Sequence, residues 1–312
     1  MGKDVLITGA SGFVGSCLAR KLLKDGNKIH IITRDKTNLW RLQDVLKDIE
    51  IHNVDLLNSD EISKLARIIC IDSVYHLATY GGYHYQSKVD EVINTNVIGT
   101  FNLFREFSKK GLEMFVNTSS SSEYGEKLKP MCEDMNLTPN NMYGASKVAG
   151  TTLCSTYAKI NKLPLVTLRL FSPYGYYDAK TRLIPTVITS CLFGKELKLS
   201  RMDSVRDFIF IDDVIEAYLA TSKLFNSYGE TFNIGSGLQY TTEEITCNIV
   251  NLIGKEVKIN WQDDPNRQYE PRMWVSDNKK VYEKLNWKPN VEINDGLNNT
   301  INWFRDNLQF YR

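Results

Sequence analysis

Up to about residue 171 the chain alternates two textures. Short unbroken apolar runs, Val5–Thr8, Ile29–Thr33, Ile51–Val54, Val74–Leu77, Met114–Thr118 and Leu165–Leu170, read as strands buried on both faces. Between them, apolar residues recur every three or four positions. Phe13–Lys24 places Val14, Leu18 and Leu22 on one helical face and stops at Gly26. Leu39, Leu42, Leu46 and Ile49 keep helical spacing, Ser59-Asp-Glu caps a helix carrying Ile62, Leu65 and Ile69, and further helices fall near 88–109 and 143–160. Strands alternating with helices predict an α/β fold, a doubly wound parallel sheet covered on both faces.

After Leu170 the pattern loosens. Pro173-Tyr-Gly175 is a turn signal, followed by a helix over Leu183–Phe193, a strand over Leu197–Leu199 and the segment Asp207–Ile211. A helix from Thr241, a short strand at Val257–Trp261 and a closing helix near Gly296–Leu308 complete the chain. We expect one unit from 1–171 plus about 210–233, and a smaller, discontinuous C-terminal lobe from 172–209 plus about 234–312.

Composition narrows the picture mainly by exclusion. The 312 residues carry a formal net charge of +1, which offers no electrostatic footprint for nucleic acid or an anionic membrane. No apolar run is long enough to span a bilayer, and the short apolar segment at the N-terminus does not read as a secretory signal. The six cysteines are scattered without a Cys-x-x-Cys pair, and the four histidines are unclustered, so no metal site is expected and a reducing cytoplasmic compartment fits.

The first strand ends in Thr8-Gly-Ala-Ser-Gly-Phe-Val-Gly15 and a helix follows at once. In that context Gly9 permits a tight turn, Gly12 lets backbone approach a pyrophosphate at the helix N-terminus, and Gly15 lets helix and strand pack closely. This is the Rossmann arrangement for a dinucleotide, with Ser11, Phe13 and Val14 completing the loop. An acid usually ends the second strand and accepts from the ribose 2′-hydroxyl. Here Thr33-Arg34 stands in its place, and Arg34 suits a 2′-phosphate, whereas Asp35 is displaced. NADP(H) is therefore favoured over NAD(H).

Tyr143 and Lys147 lie four residues apart, on one face of a helix. An ammonium there is expected to lower the pKa of the phenol, so that Tyr143 can protonate a carbonyl as hydride arrives. Upstream, the strand Met114–Thr118 runs into the hydroxyls Ser119–Ser122, which a parallel sheet would bring over the same crevice.

With these motifs, Asp55-Leu56, His76-Leu-Ala78, Asn96-Val-Ile-Gly-Thr100, Ser172-Pro-Tyr-Gly175, Arg206-Asp-Phe and Asp212-Asp-Val214, the chain resembles the extended short-chain dehydrogenases/reductases. The likeness is to their nucleotide-sugar epimerase/dehydratase/reductase branch and covers almost the whole length. It implies catalytic roles for Ser120, Tyr143 and Lys147. It implies cofactor contacts at Asp55 and Leu56 (adenine), Leu77, Ala78, Thr79 and Pro173, with Lys147 on the ribose. Asn96 joins that set, although its plainer reading, like that of His76, is a buried structural one. Arg206 would grip the diphosphate of a sugar nucleotide, and Tyr80, Ser121, Ser122 and Arg272 are further substrate candidates.

Sugar-nucleotide dehydratases of this branch carry acidic residues directly after the catalytic hydroxyl. Here those positions are Ser121 and Ser122, and Glu123 comes one residue late, where a strand would turn it to the other face. The expectation is an NADPH-dependent reductase of a 4-keto-6-deoxy nucleotide sugar in deoxysugar and surface polysaccharide biosynthesis. The alternatives are a 4-epimerase with retained NAD, a 4,6-dehydratase, and a catalytically silent dinucleotide sensor. Relatives pair two helices per subunit in a four-helix bundle. Val97, Phe101, Phe104, Phe107, Val148, Leu153 and Tyr157 would serve such a homodimer here.

Overall fold

The chain lays down β1 (Asp4–Thr8), α1 (Phe13–Lys24), β2 (Lys28–Thr33), β3 (Ile49–Asn53), α2 (Ser59–Ile68), β4 (Ser73–His76), α3 (Val89–Ile93), α4 (Thr100–Ser108), β5 (Met114–Ser120), α5 (Met142–Asn161) and β6 (Leu165–Leu170). There follow β7 (Ser172–Tyr174), α6 (Leu183–Phe193), β8 (Leu197–Ser200), β9 (Val205–Arg206), β10 (Phe208–Phe210), α7 (Ile211–Ala220), β11 (Tyr228–Ile234), β12 (Tyr240–Thr241), α8 (Thr242–Ile253), β13 (Ile259–Gln262), α9 (Lys279–Leu285) and α10 (Ile293–Asp306). This is a computed structural model, and it describes residues 2–83, 85–224, 226–255, 257–262 and 271–311.

Seven strands form one sheet in the order β11-β6-β5-β4-β1-β2-β3, every pair parallel. Strand residues alternate between its faces. Val5, Ile7, Ile29, Ile31 and Val166 pack with Leu18 and Leu22 of α1 and with Val214 and Tyr218 of α7. Leu6, Val74, Phe115 and Leu165 pack on the other face with Ile62 and Leu65 of α2, Leu103, Phe104 and Phe107 of α4, and Cys154 and Ala158 of α5. Burial on both faces is why these strands read as continuous apolar runs. From β1 the strands proceed one way through β2 and β3; from β4 they proceed the other way. A crevice opens at that switch, outside the C-terminal ends of β1 and β4.

The remaining strands form three two-stranded ribbons, β10-β7, β12-β9 and β13-β8. Ile245 and Ile249 of α8 and Leu297, Ile301 and Phe304 of α10 join the larger core. Thr241 and Glu244 close α8 with a reciprocal capping box.

Several local expectations are corrected. Leu39, Leu42, Leu46 and Ile49 do not share a helix: two 3-10 turns, Trp40–Leu42 and Leu46–Asp48, lead directly into β3. Asn58, not Ser59, caps α2, its Oδ1 accepting from the Asp60 and Glu61 amides. Pro173 and Tyr174 belong to β7, whose partner is β10. Between α3 and α4 the helix passes through a π-helical stretch, Asn94–Gly99. Phe104 and Phe107 are fully enclosed within their own chain, so they are not available to a partner subunit. Histidines distant in sequence also meet in space: His30 of β2 and His52 of β3 lie side by side.

Candidate active site

At the sheet switch lies a cleft of about 1060 Å³. The loop after β1 forms its floor. Gly9 has φ of +72°, and a Cβ there would stand 2.6 Å from the Leu77 and Ala78 backbone just after β4. A Cβ on Gly15 would come 2.4 Å from the Gly9 carbonyl oxygen, so α1 can approach β1 only without one. No side chain caps the N-terminus of α1, and its first turn holds no acid. Ser11, Gly12, Phe13, Val14 and Gly15 all line the cleft there. A narrow glycine cradle beneath an uncapped helix N-terminus fits the pyrophosphate of a dinucleotide.

The β2 and β3 ends extend the cleft. Thr33, Arg34, Thr37, Val54, Asp55 and Leu56 line it, and Asp35 does not. Thr33 donates its hydroxyl proton to Asn53 Oδ1 at 2.9 Å, so it serves the β2–β3 junction. Asp55 Oδ1 accepts from the Leu57 amide, which fixes the turn after β3. Leu77, Ala78, Thr79 and Pro173 line the opposite stretch.

Asn96 does not line the cleft and is 1% exposed. Its Oδ1 accepts from the Thr79 hydroxyl and the Tyr80 amide, and its Nδ2 donates to the Tyr80 carbonyl and to Ser146 Oγ. Its side-chain polar atoms are thus engaged by protein, and it fastens the loop after β4 to α5. His76, between Thr8 Oγ1 at 2.7 Å and Thr100 Oγ1 at 2.9 Å, has the structural setting expected of it.

α5 brings Tyr143 to the cleft wall, held at its start by Asn141, which accepts from the Gly144 amide. Tyr143, Thr79 and Ser120 line the same cleft, and the Thr79 and Ser120 side chains both act to lower the Tyr143 pKa. Ser120 ends β5, and its Oγ accepts from the Ser122 amide at 3.1 Å. Lys147 lies one turn along α5, buried, donating to the Thr118 carbonyl at 2.8 Å.

The expected electrostatic pairing takes a different form. Burial raises the Tyr143 pKa above the usual phenol value, and the cation that most opposes the shift is Arg182 rather than Lys147. Burial also lowers Lys147 to about 8. The reason is desolvation: both groups sit where the charged form loses water, and the Lys147 ammonium is turned to a backbone carbonyl. Tyr143 is thereby held as a neutral proton donor.

Behind Ser120 the chain makes a 3-10 turn, Ser121–Glu123. Ser121 and Ser122 line the cleft. Glu123 is turned away from it and fully buried. Its carboxylate accepts from Arg169 Nε at 2.5 Å, from Thr151 at 2.7 Å and from Ser119. Arg169 also donates to the Tyr124 hydroxyl, which donates to Asn233 of β11. The sequence signal for this arrangement was the apolar run Leu165–Leu170 broken by a single arginine, a charge that a buried strand must pair.

The outer part of the cleft is lined by Tyr83, Asp178, Arg182, Arg206, Pro271 and Trp274. The Arg206 guanidinium lies 5.6 Å from the Trp274 ring centre, and Trp274 Nε1 donates to Ser121 Oγ at 3.0 Å. Arg182 stacks over Tyr83, with 5.1 Å to the ring centre. Among the described residues of its loop, Tyr83 lines the cleft and Tyr80 does not. Arg272 is exposed beside the lining, its carbonyl accepting from Gln239. Of the loop at Trp261–Met273, residues 263–270 lie outside the described residues. Tyr83 belongs to the aromatic segment Tyr80–Tyr85 after the fourth strand and Arg182 ends the loop Tyr176–Arg182, both legible in the sequence as crevice candidates, whereas Trp274 carried no motif.

The model of the NAD dependent epimerase/dehydratase family matches residues 5–235. The chain is 27% identical over 321 residues to a UDP-glucuronate 4-epimerase of Thermodesulfobacterium geofontis, covering 98% of each. It is 26% identical over 338 residues to a dTDP-glucose 4,6-dehydratase of Haemophilus influenzae, covering 96% of this chain and 97% of the other. A crystal structure of a UDP-glucuronic acid 4-epimerase from Bacillus cereus, in complex with UDP-glucuronic acid and NAD, superposes with a TM-score of 0.86 at 29% identity. That match covers 97% of this chain and 99% of the other.

Proposed function

Since this chain belongs to the NAD dependent epimerase/dehydratase family, we propose that it is an NADPH-dependent reductase of a 4-keto-6-deoxy nucleotide sugar. The observation that carries this reading is Arg34. It lines the cleft at the end of β2, where Asp35 does not, and a guanidinium there favours a 2′-phosphate over a bare ribose. A reductase consumes the phosphorylated cofactor that cells keep reduced, whereas an epimerase returns its hydride to the same sugar.

Bound in the cleft, the nicotinamide cofactor supplies the hydride. The chain supplies the rest. Tyr143, held neutral, donates its proton to the C4 oxygen as the carbonyl is reduced. Ser120 hydrogen-bonds the same oxygen and orients it. Lys147, buried behind the cleft lining with its ammonium on the Thr118 carbonyl, is assigned to the cofactor ribose by the family resemblance. Arg206 faces the diphosphate of the sugar nucleotide, a role suited to its fork of donors. The β5 end offers no acid for elimination of water, because Glu123 is committed to Arg169; this speaks against a dehydratase.

We further propose a homodimer through a four-helix bundle built from residues 89–108 and α5. Ile93, Ile98 and Leu153 are exposed there, and Phe101 and Tyr157 are half-buried. A monomer by light scattering at micromolar concentration removes the dimer.

The function is tested by following NADPH absorbance with CDP-, GDP-, UDP- and dTDP-linked 4-keto-6-deoxy sugars. Consumption of NADPH with one of them is the expected result. The 4-epimerase reading draws on the likeness to the UDP-glucuronate 4-epimerases. It replaces the reductase if no such ketone consumes NADPH and a 4-hydroxy sugar nucleotide is epimerised without added cofactor.

A further inference from the structure

The structure assigns a second binding site, unrelated to the cleft chemistry: we propose that His30, Glu50 and His52 bind one zinc-class divalent transition-metal ion at the β2–β3 edge of the sheet. Parallel pairing sets His30 opposite Glu50 and Ile32 opposite His52, so the three side chains emerge on one face of adjacent strands. His30 Nδ1 lies 3.0 Å from His52 Nε2 and 3.2 Å from Glu50 Oε2. One ligand atom from each of the three residues falls within 4.8 Å of the others. Zinc–nitrogen and zinc–oxygen bonds of about 2.0–2.1 Å place tetrahedral ligands about 3.3 Å apart, so modest ring and carboxylate rotations bring the trio onto one ion.

A second observation concerns the far side of His30. Its Nε2 lies 3.2 Å from Asp4 Oδ1. A carboxylate on the outer ring nitrogen holds the proton there and leaves Nδ1 as a lone-pair donor, the arrangement found behind metal-bound imidazoles. With the proton on Nε2, Nδ1 and Glu50 Oε2 are both acceptors facing each other at close range. A cation between them resolves that opposition. Lys28 Nζ engages the other carboxylate oxygen, Glu50 Oε1, at 2.8 Å and leaves Oε2 directed at the imidazoles. Imidazole and carboxylate donors together suit zinc, nickel or copper better than magnesium or calcium.

The alternative occupant is a single proton shared between the two rings, which lie nearly parallel at 12° with centroids 5.3 Å apart. Calorimetric titration of zinc chloride into the chelator-treated full-length chain separates the two. The expected result is saturable uptake of one ion, a zinc-dependent rise in Tm, and at least a tenfold loss of affinity in both His52→Ala and Glu50→Gln. His52 is half-buried and Glu50 exposed, so these variants test the site without opening the core. Lack of saturable binding overturns the proposal in favour of the shared proton. Binding that survives both substitutions also overturns it, and moves the ion to another group such as the exposed Cys70 or Cys247.

Discussion

The two ends of the cleft are built by different means. The end that fits the dinucleotide is made of backbone: glycines whose missing Cβ atoms leave room, a helix N-terminus, and the tips of adjacent parallel strands. The end proposed for the sugar is made of side chains from distant segments, Tyr83, Arg182, Arg206 and Trp274, of which Trp274 rests on Ser121 and on the Tyr124 cluster beside the buried Glu123–Arg169 pair. A backbone-built site tolerates no added atom, whereas a side-chain site can be altered piece by piece. The first is therefore fixed in sequence spacing, and the second is free to change its ligand.

The largest effect should appear where the two ends meet. Tyr143→Phe keeps the ring and removes the acid. We expect the chemical step to slow by about two to four decades while dinucleotide affinity stays near that of the parent; single-turnover rates beside cofactor titrations measure both. A loss confined to binding contradicts the assignment of Tyr143 as proton donor.

Support for the sugar end is tested next by Glu123→Gln, which leaves Arg169 buried without its counter-charge. Breaking a buried ion pair in this way costs about 3–5 kcal/mol, read as a lower urea midpoint. A change within about 0.5 kcal/mol would show that the network can rearrange.

At the dinucleotide end, Gly15→Ala forces a methyl group against the Gly9 carbonyl. Separation of α1 from β1 should destabilise the fold by about 1–3 kcal/mol and weaken dinucleotide binding. Unchanged affinity would mean that the floor of the cleft is not where the pyrophosphate sits. Arg34→Ala is the finer probe: NADPH affinity should fall by about one to two decades, for a charge-assisted bond worth about 1.5–3 kcal/mol, with NADH barely affected. Equal affinities for the two cofactors in the parent remove the proposed preference.

The smallest effect is a pH dependence. Lys147 titrates near 8, so its ammonium is present at neutral pH and lost above it. We expect kcat/KM to decline above about pH 8 with a limb that Lys147→Arg abolishes. Stability runs the other way: between about 8 and the ordinary 10.5 the unfolded chain holds the proton more firmly, so this group makes folding more favourable as pH rises. A flat profile from pH 7 to 9 excludes a role for this proton.

The same division explains what the sequence disclosed. Val5–Thr8, the glycines at 9, 12 and 15, and Phe13–Lys24 were legible because each is a local rule of spacing and backbone conformation, and the structure reproduces α1 and α6 to the residue. Leu39–Ile49 misled because four apolar residues at helical spacing satisfy a helix, two 3-10 turns and a strand start equally well. The Tyr143–Lys147 spacing was legible, but the balance of desolvation over charge was not, since burial is a property of the assembled fold. Trp274 reaches the cleft by tertiary placement alone, and His30 meets His52 only through strand pairing.

The π-helical stretch at Asn94–Gly99 works as a phase shifter. A turn of this kind holds one residue more than an α turn, about 100° of rotation. Val92 upstream of it lies against Gly81, beside Tyr143, while Leu103 and Phe104 downstream are locked into the sheet face. Deleting a single residue here would leave a perfectly good helix with its two halves out of step. The downstream half is anchored by its core, so the upstream half would turn, carrying Val92 off the Gly81 loop and Asn96 off its anchor. An otherwise conservative change in length would thus disarm the proton donor from the side of the helix that never touches substrate.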